Sequence, residues 1–187
     1  MLSIDRRTLL GAFGIASVGA LLPAQAALSG QVVVTNPGDN RFPFASAEQA
    51  KRTVCKVTSE DSAGLCTVFE LNVFPRSGPS LHVHHREDEW YYVLSGEFVF
   101  KVGGVEHNLP VGASIWAPRG IPHVWANTGT TEGKLILTCL PGGLEKFFDE
   151  LGKVPMDHLS LESMKGIMAK YGMELLGPPL LSWAQQH

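Results

Sequence analysis

From residue 31 to residue 140 the apolar positions come in short alternating bursts, broken by Gly, Pro and small polar residues. Alternation with a period of two puts neighbouring side chains on opposite faces, as in a half-buried strand. It predicts strands at 31–35, 54–58, 65–74, 90–94, 97–102, 105–109, 113–117, 122–127 and 134–140. Short strands at this spacing predict an all-β sandwich or barrel. Gly103-Gly104 lies between two such runs and signals a two-residue hairpin, because a type I′ turn needs positive φ at both central positions.

After Pro141-Gly142-Gly143 the period lengthens. Leu144, Phe147, Phe148 and Leu151 recur at helical spacing and stop at Gly152. Ser160 can cap a second helix whose apolar stripe is Leu161, Met164, Ile167, Met168 and Tyr171, ending at Gly172. Two C-terminal helices covering a sheet face or a barrel mouth are therefore expected, with the stripes read as core. Pro178-Pro179 opens a tail for which the pattern predicts no element.

The first 26 residues differ in character. Arg6-Arg7 precedes an uncharged apolar run from Leu9 to Leu22 and then Ala24-Gln25-Ala26, the order of a cleavable signal peptide. The run is shorter than the roughly 20 residues that span a bilayer, so no stable membrane anchor is expected after cleavage. Arg-Arg-Thr-Leu-Leu resembles a bacterial twin-arginine signal, which implies a periplasmic or secreted protein. The expected organisation is a signal peptide at 1–26, a β-barrel at 27–141 and a helical extension at 142–187. The 187-residue chain is 44% hydrophobic and 18% charged with a net charge of −3, a globular composition without the clustered Lys and Arg of a nucleic-acid binder. Cys55, Cys66 and Cys139 would face an oxidising compartment. A hairpin through residues 59–64 could set Cys55 opposite Cys66, and a disulfide there competes with three buried small hydrophobes.

The chemistry concentrates between Gly78 and Asn127. On a strand, His82 and His84 share one face while His85 points away from His84 and reads as a surface group. Glu89 begins the next strand and could return a carboxylate to the two imidazoles, and His123 follows a Pro/Gly turn further on. Arg86, Glu87 and Asp88 read as a solvated charged turn, and Arg119 as an exposed residue that could steer an acidic substrate. His107, His158 and His187 stand outside the pattern.

At these positions the sequence resembles the cupin superfamily, and both of its motifs are met. His82, His84, Glu89 and Gly96 match the first, and Gly112, Pro118, Gly120, His123 and Asn127 match the second. One departure is that Gly78 stands only three residues before His82, a change in loop length and not in a ligand. The resemblance implies a single jelly-roll-like barrel holding one divalent transition metal on His82, His84, Glu89 and His123. Such a mixed nitrogen and oxygen set suits iron(II) or manganese(II), with nickel and copper as alternatives. Parity turns Tyr91, Phe98, Phe100 and Trp125 inward with the ligands as candidate substrate contacts, although a barrel core needs the same residues.

The run from His82 to Glu97 is most similar to small single-barrel, quercetin dioxygenase-like cupins. That implies dioxygenation of a small aromatic or enolic substrate, with Glu89 as base as well as ligand. Cupins also include decarboxylases, isomerases and non-catalytic binding modules, and these stay open. A homodimer is expected too, because an exposed edge strand at 31–35 would need a partner.

Overall fold

The computed structural model describes residues 32–183. Its elements run α1 (Ala47–Arg52), β1 (Thr53–Val57), β2 (Thr67–Val73), β3 (Ser80–His84), β4 (Asp88–Ser95), β5 (Phe98–Val102), β6 (Val105–Leu109), β7 (Ser114–Ala117), β8 (His123–Asn127), β9 (Gly133–Leu140), α2 (Glu145–Gly152), α3 (Leu161–Lys170), β10 (Met173–Pro179) and α4 (Leu180–Trp183). Two five-stranded antiparallel sheets, ordered β1-β2-β9-β4-β7 and β10-β3-β8-β5-β6, pack as a jelly roll.

The alternation seen in the sequence becomes burial. Thr67, Phe69, Leu71 and Val73 of β2 face inward, and so do Tyr91 and Val93 of β4 and Leu135, Leu137 and Cys139 of β9. The opposing sheet contributes Phe98, Phe100 and Trp125. Each fully buried aromatic or aliphatic side chain of this kind contributes about 1.5–3 kcal/mol. The β5–β6 hairpin turns at Gly103 and Gly104, with φ of 58° and 85°, so the double glycine does supply the left-handed pair the turn requires. Gly78 answers a different need: a Cβ there would lie 2.0 Å from the carbonyl oxygen of Trp125, so only glycine lets this loop pass β8.

Four expectations are corrected. No strand forms at 32–35, where Val32 and Val34 are exposed and Thr35 bonds Lys56 O through its hydroxyl (2.9 Å) and not through a ladder; residue 31 lies outside the described residues. The three cysteines are free, because the β1–β2 register sets Cys55 opposite Phe69. Cys66 is held in the connecting loop, its backbone bonded to the Ser62 hydroxyl. Pro178-Pro179, read as opening a tail with no element, instead end β10, which pairs with β3. Its prolines disguised it, but β10 is an edge strand, where a missing N–H is tolerated. Leu161, expected in the buried stripe of α3, is 65% exposed, whereas Ile167 and Met168 are buried. Helix α1 went unread: it spans six residues, with Ser46 capping the N–H of Gln49.

Candidate metal centre

Strand pairing brings four side chains to one point. His82 and His84 lie two apart on β3, His82 pairs directly with His123 at the start of β8, and Glu89 enters from the start of β4. All four are buried, and their candidate ligand atoms lie within 4.8 Å of one another. The imidazole centroids are 4.5 Å apart for His82 and His123, 5.1 Å for His82 and His84, and 5.6 Å for His84 and His123.

Each ring is held from behind. Nδ1 of His82 lies 2.7 Å from Ser80 O, Nδ1 of His123 lies 3.1 Å from Ile121 O, and Nδ1 of His84 lies 3.3 Å from Glu87 Oε2. An Nδ1–H donated to these oxygens leaves the Nε2 lone pair for a cation, the tautomer that metal-ligating histidines adopt. Nε2 of His123 lies 2.8 Å from Glu89 Oε2 and that of His84 lies 3.5 Å from Oε1, so carboxylate and imidazoles already share one focus. Three nitrogens and a carboxylate oxygen at this focus fit a divalent transition metal.

The electrostatics agree with a cation-binding role. Burial, reinforced by His123 and His84, lowers His82 to about 3, so it stays neutral and available as a ligand. Burial alone would raise Glu89, yet the imidazoles around it, His84 foremost, hold it well below the usual carboxylate range. His84 is also pulled down by burial, but Glu89 and Glu87 outweigh this and raise it. Tyr91 donates to Glu89 Oε2 at 2.8 Å and orients that carboxylate. Burial, with Glu89 adding to it, pushes the Tyr91 phenol well above its ordinary value and keeps it a donor.

His82, His84 and Glu89 line one end of a cavity of about 320 Å³, while His123 is not among its lining residues. Tyr91 and Trp125 also line it, and Leu144, Phe147, Phe148, Leu151, Met164 and Met168 from α2, α3 and the loop before them wall it. Those helical residues were expected to be core alone. Phe98 and Phe100, expected as substrate contacts, are not among the lining residues. They pack behind it, with Phe100 5.0 Å from Tyr91 and Phe98 6.0 Å from Trp125 by ring centroids.

Residues 69–139 match the family model of the cupin domain. The fold is a cupin fold. Protein SchB of Streptomyces halstedii is 33% identical over 64 residues, which are 34% of this chain and 46% of that protein, so the chain spans less than half the length of this curated relative. A predicted oxalate decarboxylase of Thermotoga maritima aligns at 26% identity and a TM-score of 0.46, covering 48% of this chain and 78% of that one. A salicylate 1,2-dioxygenase of Pseudaminobacter salicylatoxidans aligns at 18% and 0.39, covering 41% and 22%.

Within this cupin fold the remaining motif positions serve as supports. Asn127 donates its amide to Val73 O, Phe74 O and Thr131 O (3.2, 3.3 and 2.8 Å), tying β8 to the end of β2. His85 is exposed, 3.5 Å from Glu174, as its parity requires. His107 and His158 are exposed, and His187 lies outside the described residues. One reading of charge changes, and an exposed residue gains a partner. Glu87 is buried behind His84 and is not part of a solvated turn; the parity that turns Glu89 inward applies equally two residues earlier. Arg119, half-exposed, is paired with Asp88 through its backbone N–H (2.8 Å) and guanidinium (2.7 Å) and reaches Leu140 O, so it clamps the loop before His123 to β4. Cys139 adds a buried thiol 3.9 Å from Glu89 Oε1 that no motif announced.

Proposed function

We propose that this protein is a mononuclear metal-dependent enzyme, a dioxygenase or related oxidoreductase acting on a small aromatic or enolic compound. The observation that supports this reading is the convergence of three oriented Nε2 atoms and Glu89 at one end of a cavity of small-molecule size whose walls are mostly apolar. His82, His84, Glu89 and His123 would hold iron(II) or manganese(II), with nickel or copper as alternatives. A bound ion supplies Lewis acidity toward a phenolic or enolic oxygen and, for a redox-active metal, a site for dioxygen chemistry.

The chain's own residues then have distinct tasks. Glu89 is the one acid among the lining residues, so it is the group placed to receive a substrate hydroxyl proton. Tyr91 fixes which way its oxygens face. Trp125 offers a flat surface against which an aromatic ring can lie, and the side chains from α2 and α3 exclude water from that ring.

Elemental analysis followed by oxygen uptake on a panel of phenols and enols tests the reading. About one equivalent of metal and substrate-dependent oxygen consumption, lost in Glu89→Gln, is expected; full metal occupancy with no turnover would move the protein to the non-catalytic cupins. The proposal extends to export: purification from the native host should yield a chain beginning at Ala27, and N-terminal sequencing that finds Met1 would remove it.

A further inference from the structure

The end of the cavity away from the metal ligands is not apolar. Gln49, Arg52, Asn72 and Ser77 line it, and three of these are already engaged: Gln49 Nε2 donates to Thr53 Oγ1 (2.7 Å), Asn72 Nδ2 to Lys51 O (2.7 Å) and Ser77 Oγ to Phe74 O (2.9 Å). Arg52 differs. Its Nε is buried and has no hydrogen-bond partner, alone among buried side-chain nitrogens and oxygens of the described residues. The guanidinium lies over the ring of Phe74, 4.7 Å from its centroid, and its one ion pair among the described residues is with the exposed Glu48 at 3.0 Å. An exposed pair of this spacing contributes little, so the charge is not consumed by it. A buried donor left unsatisfied is costly, and a small shift of the guanidinium that brings it to an incoming acceptor would relieve that cost.

The spacing between the two ends follows from strand register. Glu89 pairs through Cys139 to Thr67, whereas Arg52 directly precedes Thr53, which pairs with Leu71. Four residues of strand separate the two levels, roughly 13 Å. Between them the walls are Leu71, Val73, Leu137, Phe147, Phe148 and Met164.

We propose that Arg52 receives an anionic group, a carboxylate or similar, at the end of the ligand remote from the metal centre. The ligand is then an elongated, largely apolar acid: its reacting group meets Glu89 and the imidazoles, its body lies along the aliphatic and aromatic walls, and its anion accepts from Arg52 Nε and the adjacent guanidinium edge. This deepens the enzyme reading and rests on it for which end reacts. Arg52 would select the substrate and set its depth in the cavity.

Calorimetric titration of the full chain tests this, metal-free and reconstituted with manganese(II). The probes are the ω-phenylalkanoates from phenylbutanoate to phenyloctanoate and their uncharged primary amides. A charge-assisted hydrogen bond should make the best carboxylate bind about tenfold or more tightly than its amide. The preference should vanish in Arg52→Gln and shrink in Arg52→Lys, which keeps the charge but not the forked donors. Unchanged melting temperatures would show that both variants fold. Equal binding of acid and amide overturns the proposal, and so does failure of the whole series to bind. A preference that needs manganese and survives in Arg52→Gln also overturns it, because the carboxylate then sits on the metal. Metal content of the same samples reports separately on the enzyme reading. A chain that takes up none of manganese, iron, nickel or copper yet keeps an Arg52-dependent preference removes that reading and leaves this one.

Discussion

The two ends of the cavity are built by different means. At the metal end every ligand sits on a strand with hydrogen-bonded neighbours, and each imidazole is fixed by an acceptor behind it. At the far end short helices and loops join the end of β2 in forming the walls, and the side chains include half-buried Phe148, Leu151 and Met164 with unbranched, adaptable shapes among them. A ladder holds positions to a fraction of an ångström, which coordination requires, whereas packed helices can shift to admit different ligands. The barrel thus fixes the candidate ligands, and the segments added before β1 and after β9 complete the cavity beside them.

The sharpest break of this comparison removes a ligand. His82→Ala or His123→Ala should lower metal occupancy from near one equivalent to near zero under stoichiometric loading, while His85→Ala should leave it unchanged, as elemental analysis will read. Equal losses in all three would mean that the parity of β3 does not govern the site.

Acid should act on the same end. With His82 near 3 in the fold against 6.5 ordinarily, the unfolded chain binds more protons between those values, so metal-free stability falls as pH drops through that window. Glu89, held below its ordinary 4.5, adds a loss in the same direction as pH falls below 4.5. His84 is raised and works the other way: its contribution is full below 6.5 and is lost as pH rises through its folded value. Below pH 4.5 His82 and Glu89 act together, and melting temperature should drop most steeply there. Glu89→Gln should flatten that limb, and a curve unchanged by the substitution would take Glu89 out of the acid response.

At the helical end the expected losses are of ligand affinity and fold stability, with metal retained. Met168 is 5% exposed, and Met168→Ala should cost about 2–5 kcal/mol in denaturant unfolding. Metal stoichiometry should stay at the wild-type value; its loss would show that the helices also support the ligands. Between the two ends in magnitude stands Glu87→Gln, which weakens the acceptor behind His84 and should reduce metal affinity about 10- to 100-fold, or about 1.4–2.7 kcal/mol, in chelator competition. No change would reduce Glu87 to a buried bystander.

Much of the barrel could be read beforehand because two-residue periodicity and burial are the same fact in a two-sheet fold. Parity made His82 and His84 legible for that reason and pointed to Glu89, whereas His123 and the set of four came from the resemblance to the two cupin motifs. What escaped has local physical causes. Strand β10 ends in Gly177-Pro178-Pro179 and depends on pairing with a strand some 90 residues earlier. Glu87 was hidden in a run of charges, and Glu145 at the start of a helix gave no sign of burial. The fold nevertheless closes over its carboxylate with the N–H and hydroxyl of Ser59 and the hydroxyl of Thr67, at 2.7 Å for Thr67. Phe98 and Phe100 have the right parity and the wrong depth, a distinction that alternation cannot make because it reports a face and not a distance from the cavity.

The smallest expected effect concerns the residue that broke the helical stripe. Leu161 has the spacing of a core position, yet it opens α3 one turn before the helix meets the barrel, and it is 65% exposed. Replacing a large exposed apolar side chain by a polar one changes no buried contact, so Leu161→Ser should move unfolding free energy by no more than about 0.5 kcal/mol. A larger loss would mean that the face is covered in solution. Since the chain lacks the edge strand expected at 32–35, this helix start would then be the place to look for a second copy. Sedimentation of wild type and Leu161→Ser at several concentrations separates the cases: identical, concentration-independent mass leaves the helical end as an open wall. A dimer dissociated by the substitution would make that end shared between two copies, and the contrast between a rigid metal end and an adaptable far end would then have to be drawn for the pair.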